Sequence, residues 1–269
     1  MKNILITGIT GFLGRQLAHT IKGNITGIGH SQQKIAEFQR QFPDINVYCT
    51  ELNDTDTLEA IVIRHNIEYI IHTAAVKYIQ FGEQYPMNTV QTNIMMTDKI
   101  IHIANKHNLK NVIAISTDKA NKPTCVYGMT KYIMERIVLM NNYTVYQGVN
   151  FFWSDGSVFD IWYKQYLRKK PLTVTNLNHV RYFSFIDDVC QYIINNLDSK
   201  GITCLPETVY EISLRQCLKV FCDHFNYHDV HVIGNKPYEK TIETISENIK
   251  VVKITDDELK KQIEKIVFF

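Results

Sequence analysis

The segment NILITGITGFLG, residues 3–14, limits what this chain can fold into more than any other stretch. An unbroken apolar run ends at Gly8, and Gly11 and Gly14 follow as the pattern changes to the helical period of FLGRQLAHTIK. A strand apolar on both faces belongs inside a parallel sheet. Glycines at the strand-to-helix junction allow a tight turn and let a helix N-terminus approach an anion. The alternation then continues. The β-rich runs NITGIG, INVYC, EYIIHTA, NVIAIS and YTVYQGV are separated by SQQKIAEFQRQF, DTLEAIVIRHN and PMNTVQTNIMMTDKIIHIANKHN, which carry a helical period. Such a βαβ series predicts an α/β fold of the Rossmann type, a doubly wound parallel sheet with helices on both faces.

After about residue 150 the rhythm loosens. GSVFDIWYKQYLRKK, SFIDDVCQYIINNL, LRQCLKVFCDHF and DDELKKQIEKIV read as helices, and no linker rich in Gly, Pro or Ser sets them apart. The expected organisation is a dinucleotide-binding domain over residues 1–150, carrying the catalytic residues, and a small C-terminal substrate lobe over 151–269, partly interleaved with it. A chain of 269 residues, 45% hydrophobic, can fill such a core. Its net charge of +2 is spread among interspersed lysines and carboxylates, which predicts no nucleic-acid or membrane surface and points to small-molecule partners. Met1 leads directly into the apolar run, with no charged leader and no apolar stretch long enough to span a bilayer, so a cytoplasmic location is expected. The six cysteines form no CxxC pair and fit a reduced compartment. Cys217, Cys222, His224, His228 and His231 crowd together, but their spacing matches no zinc pattern and LKVFCDHF has the period of an amphipathic helix, so no metal is expected.

The glycine turn, with Thr10, Phe12 and Leu13 between its glycines, is read as the pyrophosphate cradle of a dinucleotide. An NAD site would place a carboxylate at the end of the second strand, against the ribose hydroxyls. Here that stretch is GHSQQK, which offers His30, Ser31 and Lys34 and no acid before Glu37. A 2′-phosphate would be tolerated there, so NADP is expected rather than NAD.

The stretch STDKANKPTCVYGMTK, residues 116–131, carries the chemistry. Tyr127 and Lys131 lie one turn apart on one helix face. An ammonium beside a phenol favours the phenolate and is expected to draw the tyrosine towards the range of a base, able to take a proton from a sugar hydroxyl as hydride leaves for a nicotinamide.

At these residues the sequence resembles a known family. TGITGFLG, IIHTAAVKY, ISTDKANKP and YGMTK look like the extended short-chain dehydrogenase/reductase superfamily and, within it, the inverting UDP-N-acetylglucosamine 4,6-dehydratases of polysaccharide biosynthesis. GVNFFWSDGSV, KKPLTVT, VRYFSFIDDV and NKPYEKTIE continue the similarity. The resemblance implies oxidation of the sugar at carbon 4, removal of the carbon 5 proton by Lys119, protonation of the departing 6-hydroxyl by Asp118, and a 4-keto-6-deoxy product inverted at carbon 5. It implies Thr117 near carbon 4, Ser116, Ala74 and Ala75 beside the cofactor, Lys77 lining the site, and Asn150, Arg181 and Glu239 on the UDP moiety. A guanidinium such as that of Arg181 suits a diphosphate. The chain departs from the pattern at His30, Gln147, Lys236 and Tyr238, where relatives have arginine, arginine, arginine and glycine.

Two other readings stay open: a UDP-sugar 4-epimerase or reductase, which needs Tyr127 and Lys131 but not an acid and base at Asp118 and Lys119, and a non-catalytic NADP-binding sensor. Members of the superfamily pair through the two long helices, here 86–107 and 125–141, so at least a homodimer is expected.

Overall fold

The computed structural model describes residues 1–236 and 238–265. In chain order the elements are β1 (Asn3–Thr7), α1 (Phe12–Thr20), β2 (Asn24–Gly29), α2 (Gln32–Gln41), β3 (Asn46–Cys49), α3 (Thr55–Arg64), β4 (Tyr69–His72), α4 (Ile79–Gln84), α5 (Pro86–Val90), α6 (Met96–Lys106), β5 (Asn111–Thr117), α7 (Val126–Met140) and β6 (Thr144–Gly148). They are followed by β7 (Asn150–Phe151), α8 (Val158–Leu167), β8 (Leu172–Val174), β9 (Val180–Ser184), α9 (Ile186–Asn195), β10 (Thr203–Cys204), β11 (Thr208–Ser213), α10 (Leu214–Phe225), β12 (Val230–Val232), β13 (Lys250–Lys253) and α11 (Asp256–Glu264). The helix expected over DDELKKQIEKIV ends on Ile266 and Val267, which lie outside the described residues, as does Pro237 of NKPYEKTIE.

The chain divides into two compact units, residues 1–148 with 187–205, and 149–186 with 206–269. In the first, seven parallel strands run in the order β10-β6-β5-β4-β1-β2-β3. This is the doubly wound arrangement, and the winding reverses between β1 and β4, where such sheets open a crevice at their carboxyl ends. Leu5, Ile70, Val112 and Val145 lie at the centre of the sheet and are fully buried against helical residues such as Leu58, Ile100, Met134 and Val138. Each such side chain contributes about 1.5–3 kcal/mol by leaving water. The segment 187–205 departs from the expected boundary at residue 150. It belongs with the first unit because β10 pairs with β6 at the sheet edge, Asn111 donates to the Leu197 carbonyl at 2.9 Å, and Tyr69 donates to Asp198 at 2.6 Å.

The long helix expected over 86–107 is interrupted. A π-helical turn at Gln91–Met95 separates α5 from α6 and turns Asn93 inward, where its side chain clamps the backbone of Val76 on both sides, at 2.9 and 3.0 Å. Such turns often mark functional sites.

The second unit holds a four-stranded sheet, order β13-β11-β9-β7, and a β12–β8 pair. The helical reading of the C-terminal half missed these strands, because they are two to six residues long and several are half-exposed, as in the KVVK of β13. Phe152, Phe159, Trp162, Phe183 and Phe221 form the core of this unit.

Candidate active site

The glycine turn follows β1. Gly8 has φ +71°, in the region side chains avoid, and a Cβ on it would lie 2.9 Å from the Ala74 backbone. A Cβ on Gly14 would lie 2.6 Å from the Gly8 carbonyl oxygen. The turn is thus pressed against the start of α1 on one side and against Thr73 and Ala74, just past β4, on the other. Helix α1 follows Gly11 as its N-cap, with no side-chain cap and no acid in its first turn, so its positive end favours an anion. Phe12 and Leu13 bury their side chains in the core and leave only backbone to face a ligand, while Thr10 is also buried. The cradle fits a pyrophosphate. At the end of β2, Ser31 caps α2, whose first turn holds no acid, and His30 and Lys34 are exposed beside it.

β5 ends in Thr117 and passes into a 3-10 turn at Asp118–Ala120. Asp118 is 2% exposed. Its Oδ1 accepts from the Thr117 hydroxyl at 2.9 Å and from the Lys119 ammonium at 3.1 Å. Its Oδ2 is buried with no hydrogen-bond partner among the described residues. A buried carboxylate oxygen left unsatisfied is costly, and such an atom calls for a water, a ligand or a reacting group to meet it.

Helix α7 sits hard against this turn. A Cβ on Gly128 would strike the Lys119 carbonyl oxygen and approach Pro123 at 3.1 Å, so only glycine lets the helix lie there. Its first turn is capped by Cys125, whose sulfur accepts from the Gly128 N–H at 3.4 Å, and by Glu83 of α4, which accepts from the Val126 N–H at 2.7 Å. Both caps fix the position of Tyr127.

The proton affinity of Tyr127 corrects the expectation drawn from Lys131. Burial pushes the phenol up to about 12; the charge of Lys119 and a hydrogen bond with Thr117 work against that rise. The cation acting directly on the phenol is therefore the neighbouring one in the turn, and desolvation outweighs it. Burial also brings Lys131 down to about 8, opposed by Glu135 one turn further along α7. Glu135 is a residue the sequence reading passed over. It accepts from Ser116 at 2.5 Å and from Gln147 at 2.9 Å, and Gln147 accepts from Asn121 at 2.9 Å, so one network ties the ends of β5 and β6 to the segment after the Asp118–Ala120 turn. Ser116 is turned into this network. His72 was passed over too: it is buried between Thr7 at 2.7 Å and Thr97 at 3.0 Å, and desolvation lowers it to about 3.

Thr117, Asp118, Lys119 and Tyr127 are thus brought together by the first unit. Lys77, in the loop after β4, is exposed, with its ammonium 5.6 Å from the centre of the Tyr78 ring. In the second unit Asn150 donates to the Tyr182 carbonyl at 2.9 Å. Arg181 and Glu239 cluster there with two residues not foreseen, His179 and Glu243: Arg181 lies 3.1 Å from His179 Nδ1 and 3.9 Å from Glu243, and Glu239 lies 3.9 Å from the same Nδ1. Cys217 and Cys222 lie on the buried face of α10.

A model of the polysaccharide biosynthesis protein family matches residues 4–265. The chain is 27% identical over 215 residues to the inverting UDP-N-acetylglucosamine 4,6-dehydratase of Campylobacter jejuni, an alignment covering 73% of this chain and 64% of that protein. It is 24% identical over 279 residues to the UDP-glucose 4-epimerase of Rickettsia felis, covering 95% of this chain and 80% of that one. The dTDP-glucose 4,6-dehydratase DesIV of Streptomyces venezuelae, solved with NAD bound, has the same fold, with a TM-score of 0.85, 14% identity and coverage of 97% and 96%. Among the described residues, no helix is long and apolar enough to cross a membrane.

Proposed function

Since the chain belongs to the polysaccharide biosynthesis protein family, we propose that it is a nucleotide-sugar 4,6-dehydratase that converts UDP-N-acetylglucosamine, with inversion at carbon 5, into the UDP-4-keto-6-deoxy sugar. The coarser statement, an enzyme of the nucleotide-sugar dehydratase and epimerase class, rests on the relatives of both kinds. The observation that carries the finer one is the pair at the end of β5: Asp118, buried, with one oxygen engaged by Lys119 and the other unsatisfied. An epimerase or reductase has no use for such an acid and base beside the tyrosine.

The glycine cradle and the start of α1 would hold a dinucleotide, and the end of β2, where His30 and Lys34 are exposed and the first turn of α2 holds no acid, favours NADP. When bound, the nicotinamide supplies the acceptor and donor of a hydride. Tyr127 takes the proton of the 4-hydroxyl. A phenol held up at about 12 keeps its proton near neutral pH and can act as a base only once ionised, so the charge of Lys119 acting directly, with that of Lys131 one turn along α7, has to stabilise the phenolate as it forms. Once carbon 4 is a ketone, the carbon 5 proton is acidic. Lys119 removes it, Asp118 gives its proton to the 6-oxygen, and water leaves; carbon 6 would then take back the hydride while a solvent-exchanged proton returns to carbon 5 from the opposite face. The short Asp118–Lys119 contact lets the two groups exchange a proton, which is what one acid and one base need to reset after each turnover. Thr117 holds Asp118 Oδ1 in place. Asn150, Arg181 and Glu239 serve the UDP moiety and Lys77 the sugar in this reading. A homodimer in the cytoplasm belongs to the same reading, supported by the exposed Met87, Met95, Met129, Tyr132, Ile133 and Met140 of α5 to α7.

The test is incubation with UDP-N-acetylglucosamine in deuterated water, followed by NMR of the product. A 6-deoxy-4-keto sugar carrying deuterium at carbon 5 is expected. A product that keeps its 6-hydroxyl and differs only at carbon 4 would move the assignment to the epimerase.

A further inference from the structure

We propose that His179 is a positioning residue for Arg181: its unprotonated Nδ1 fixes the plane in which the guanidinium meets the diphosphate of the UDP-sugar. This rests on the role given to Arg181 above.

His179 is 1% exposed, immediately before β9, and its carbonyl accepts from the Leu214 N–H at 2.9 Å. Arg181 Nη2 lies 3.1 Å from His179 Nδ1. A guanidinium has donors and no acceptor, so Nδ1 has to present its lone pair and the ring proton has to sit on Nε2. The Thr175 hydroxyl, 3.5 Å away, faces the same nitrogen. Nη1 of Arg181 donates to the Val180 carbonyl at 2.9 Å and to the Thr241 carbonyl at 3.2 Å. Acceptors before β9, on β9 and in the segment at 241 therefore define one plane. Glu243, at 3.9 Å from Nε, offsets the charge from beyond hydrogen-bond distance. A planar fork binds a phosphate through two parallel bonds only when its plane is set in advance.

The same nitrogen has a second possible partner. Glu239 Oε2 is 3.9 Å from Nδ1, buried, and without a hydrogen-bond partner among the described residues. A proton on Nδ1 would pair the ring with Glu239 and turn a donor towards Arg181, which would lose its acceptor. Burial and the Arg181 charge hold the ring neutral by lowering its proton affinity, while Glu239 and Glu243 pull the other way. The sequence signal was small: one histidine in NHVRYF, two residues before the arginine.

The experiment measures UDP binding to the full chain by calorimetry for the wild type, His179→Phe, His179→Asn and Arg181→Gln. His179→Phe keeps a ring but loses the acceptor, so Kd for UDP should rise about tenfold, the worth of one charge-assisted hydrogen bond. KM for the UDP-sugar should rise by a similar factor with little change in kcat. His179→Asn, whose amide oxygen can accept near the Nδ1 position, should recover most of the affinity. If Arg181→Gln weakens UDP binding while a folded His179→Phe binds like the wild type, the positioning role is wrong. If Arg181→Gln also binds like the wild type, the reading of Arg181 fails first. Should His179→Phe not fold, nitrogen-15 NMR of the wild-type imidazole decides: a proton on Nδ1 overturns the proposal, and a proton on Nε2 alone supports it.

Discussion

Stability should fall in mild acid because of one buried histidine, and the size of the effect follows from its surroundings. His72 ends β4 with its ring fully enclosed; Thr97 gives its own proton to the Asn93 carbonyl at 3.0 Å, so its oxygen accepts from Nε2–H, and Nδ1 accepts from Thr7. The neutral ring therefore satisfies both neighbours. A second proton would break this pattern beside the Lys131 cation, and the proton affinity drops from 6.5 to about 3. The unfolded chain then binds more protons than the folded one between those values, so folding stability is complete above about pH 6.5 and is lost as pH falls. At about 1.36 kcal/mol per pH unit, lowering pH from 6.5 to 5 should cost roughly 2 kcal/mol through His72 alone. Urea unfolding at pH 8 and pH 5, for the wild type and His72→Asn, isolates it, since every other titrating group contributes to both proteins. His72→Asn will be the less stable at pH 8, and its deficit should shrink by about 2 kcal/mol at pH 5. A deficit equal at the two pH values would refute the argument.

Replacing Lys119 by Met, which keeps the volume and removes the amine, should stop formation of the 6-deoxy product and entry of solvent deuterium at carbon 5, while UDP binding persists; normal 6-deoxy product would make the amine structural. Tyr127→Phe should lower turnover by roughly 10² to 10⁴, read by product NMR, with the melting temperature little changed. Because Lys131 is held at about 8, its charge is present below that pH and lost above it, so kcat/KM should fall as pH rises through 8; a rate still rising at pH 9 would contradict this. Gly128→Ala should push α7 off the Lys119 carbonyl, cost about 1–3 kcal/mol in urea unfolding, and reduce activity by more than that loss of folded protein accounts for.

The fold was legible because its causes are local and repeated. Apolar strands and amphipathic helices alternate through the first 150 residues, and glycines stand at the one turn where Gly8 adopts a positive φ and a Cβ would strike Ala74. Candidate site residues could be picked out for a similar reason: Thr117, Asp118, Lys119, Tyr127 and Lys131 fall within one short stretch, at the end of β5, on the turn after it and on the helix that follows. What no stretch of sequence contains is the environment of those groups. Desolvation decides the proton affinities of Tyr127, Lys131 and His72, and it is set by chain remote in sequence, as when Thr7 and Thr97 close over His72. The same holds for Glu135, which becomes part of the site only because β5 and β6 bring Ser116 and Gln147 to it, and for His179, whose partners come from segments as distant as Glu239. The short strands of the second unit are likewise stable only as partners of one another, so their own residues carry little signal. Periodicity and local turns are properties of the chain; dielectric, orphaned oxygens and the choice of a proton's position are properties of what the fold packs around them.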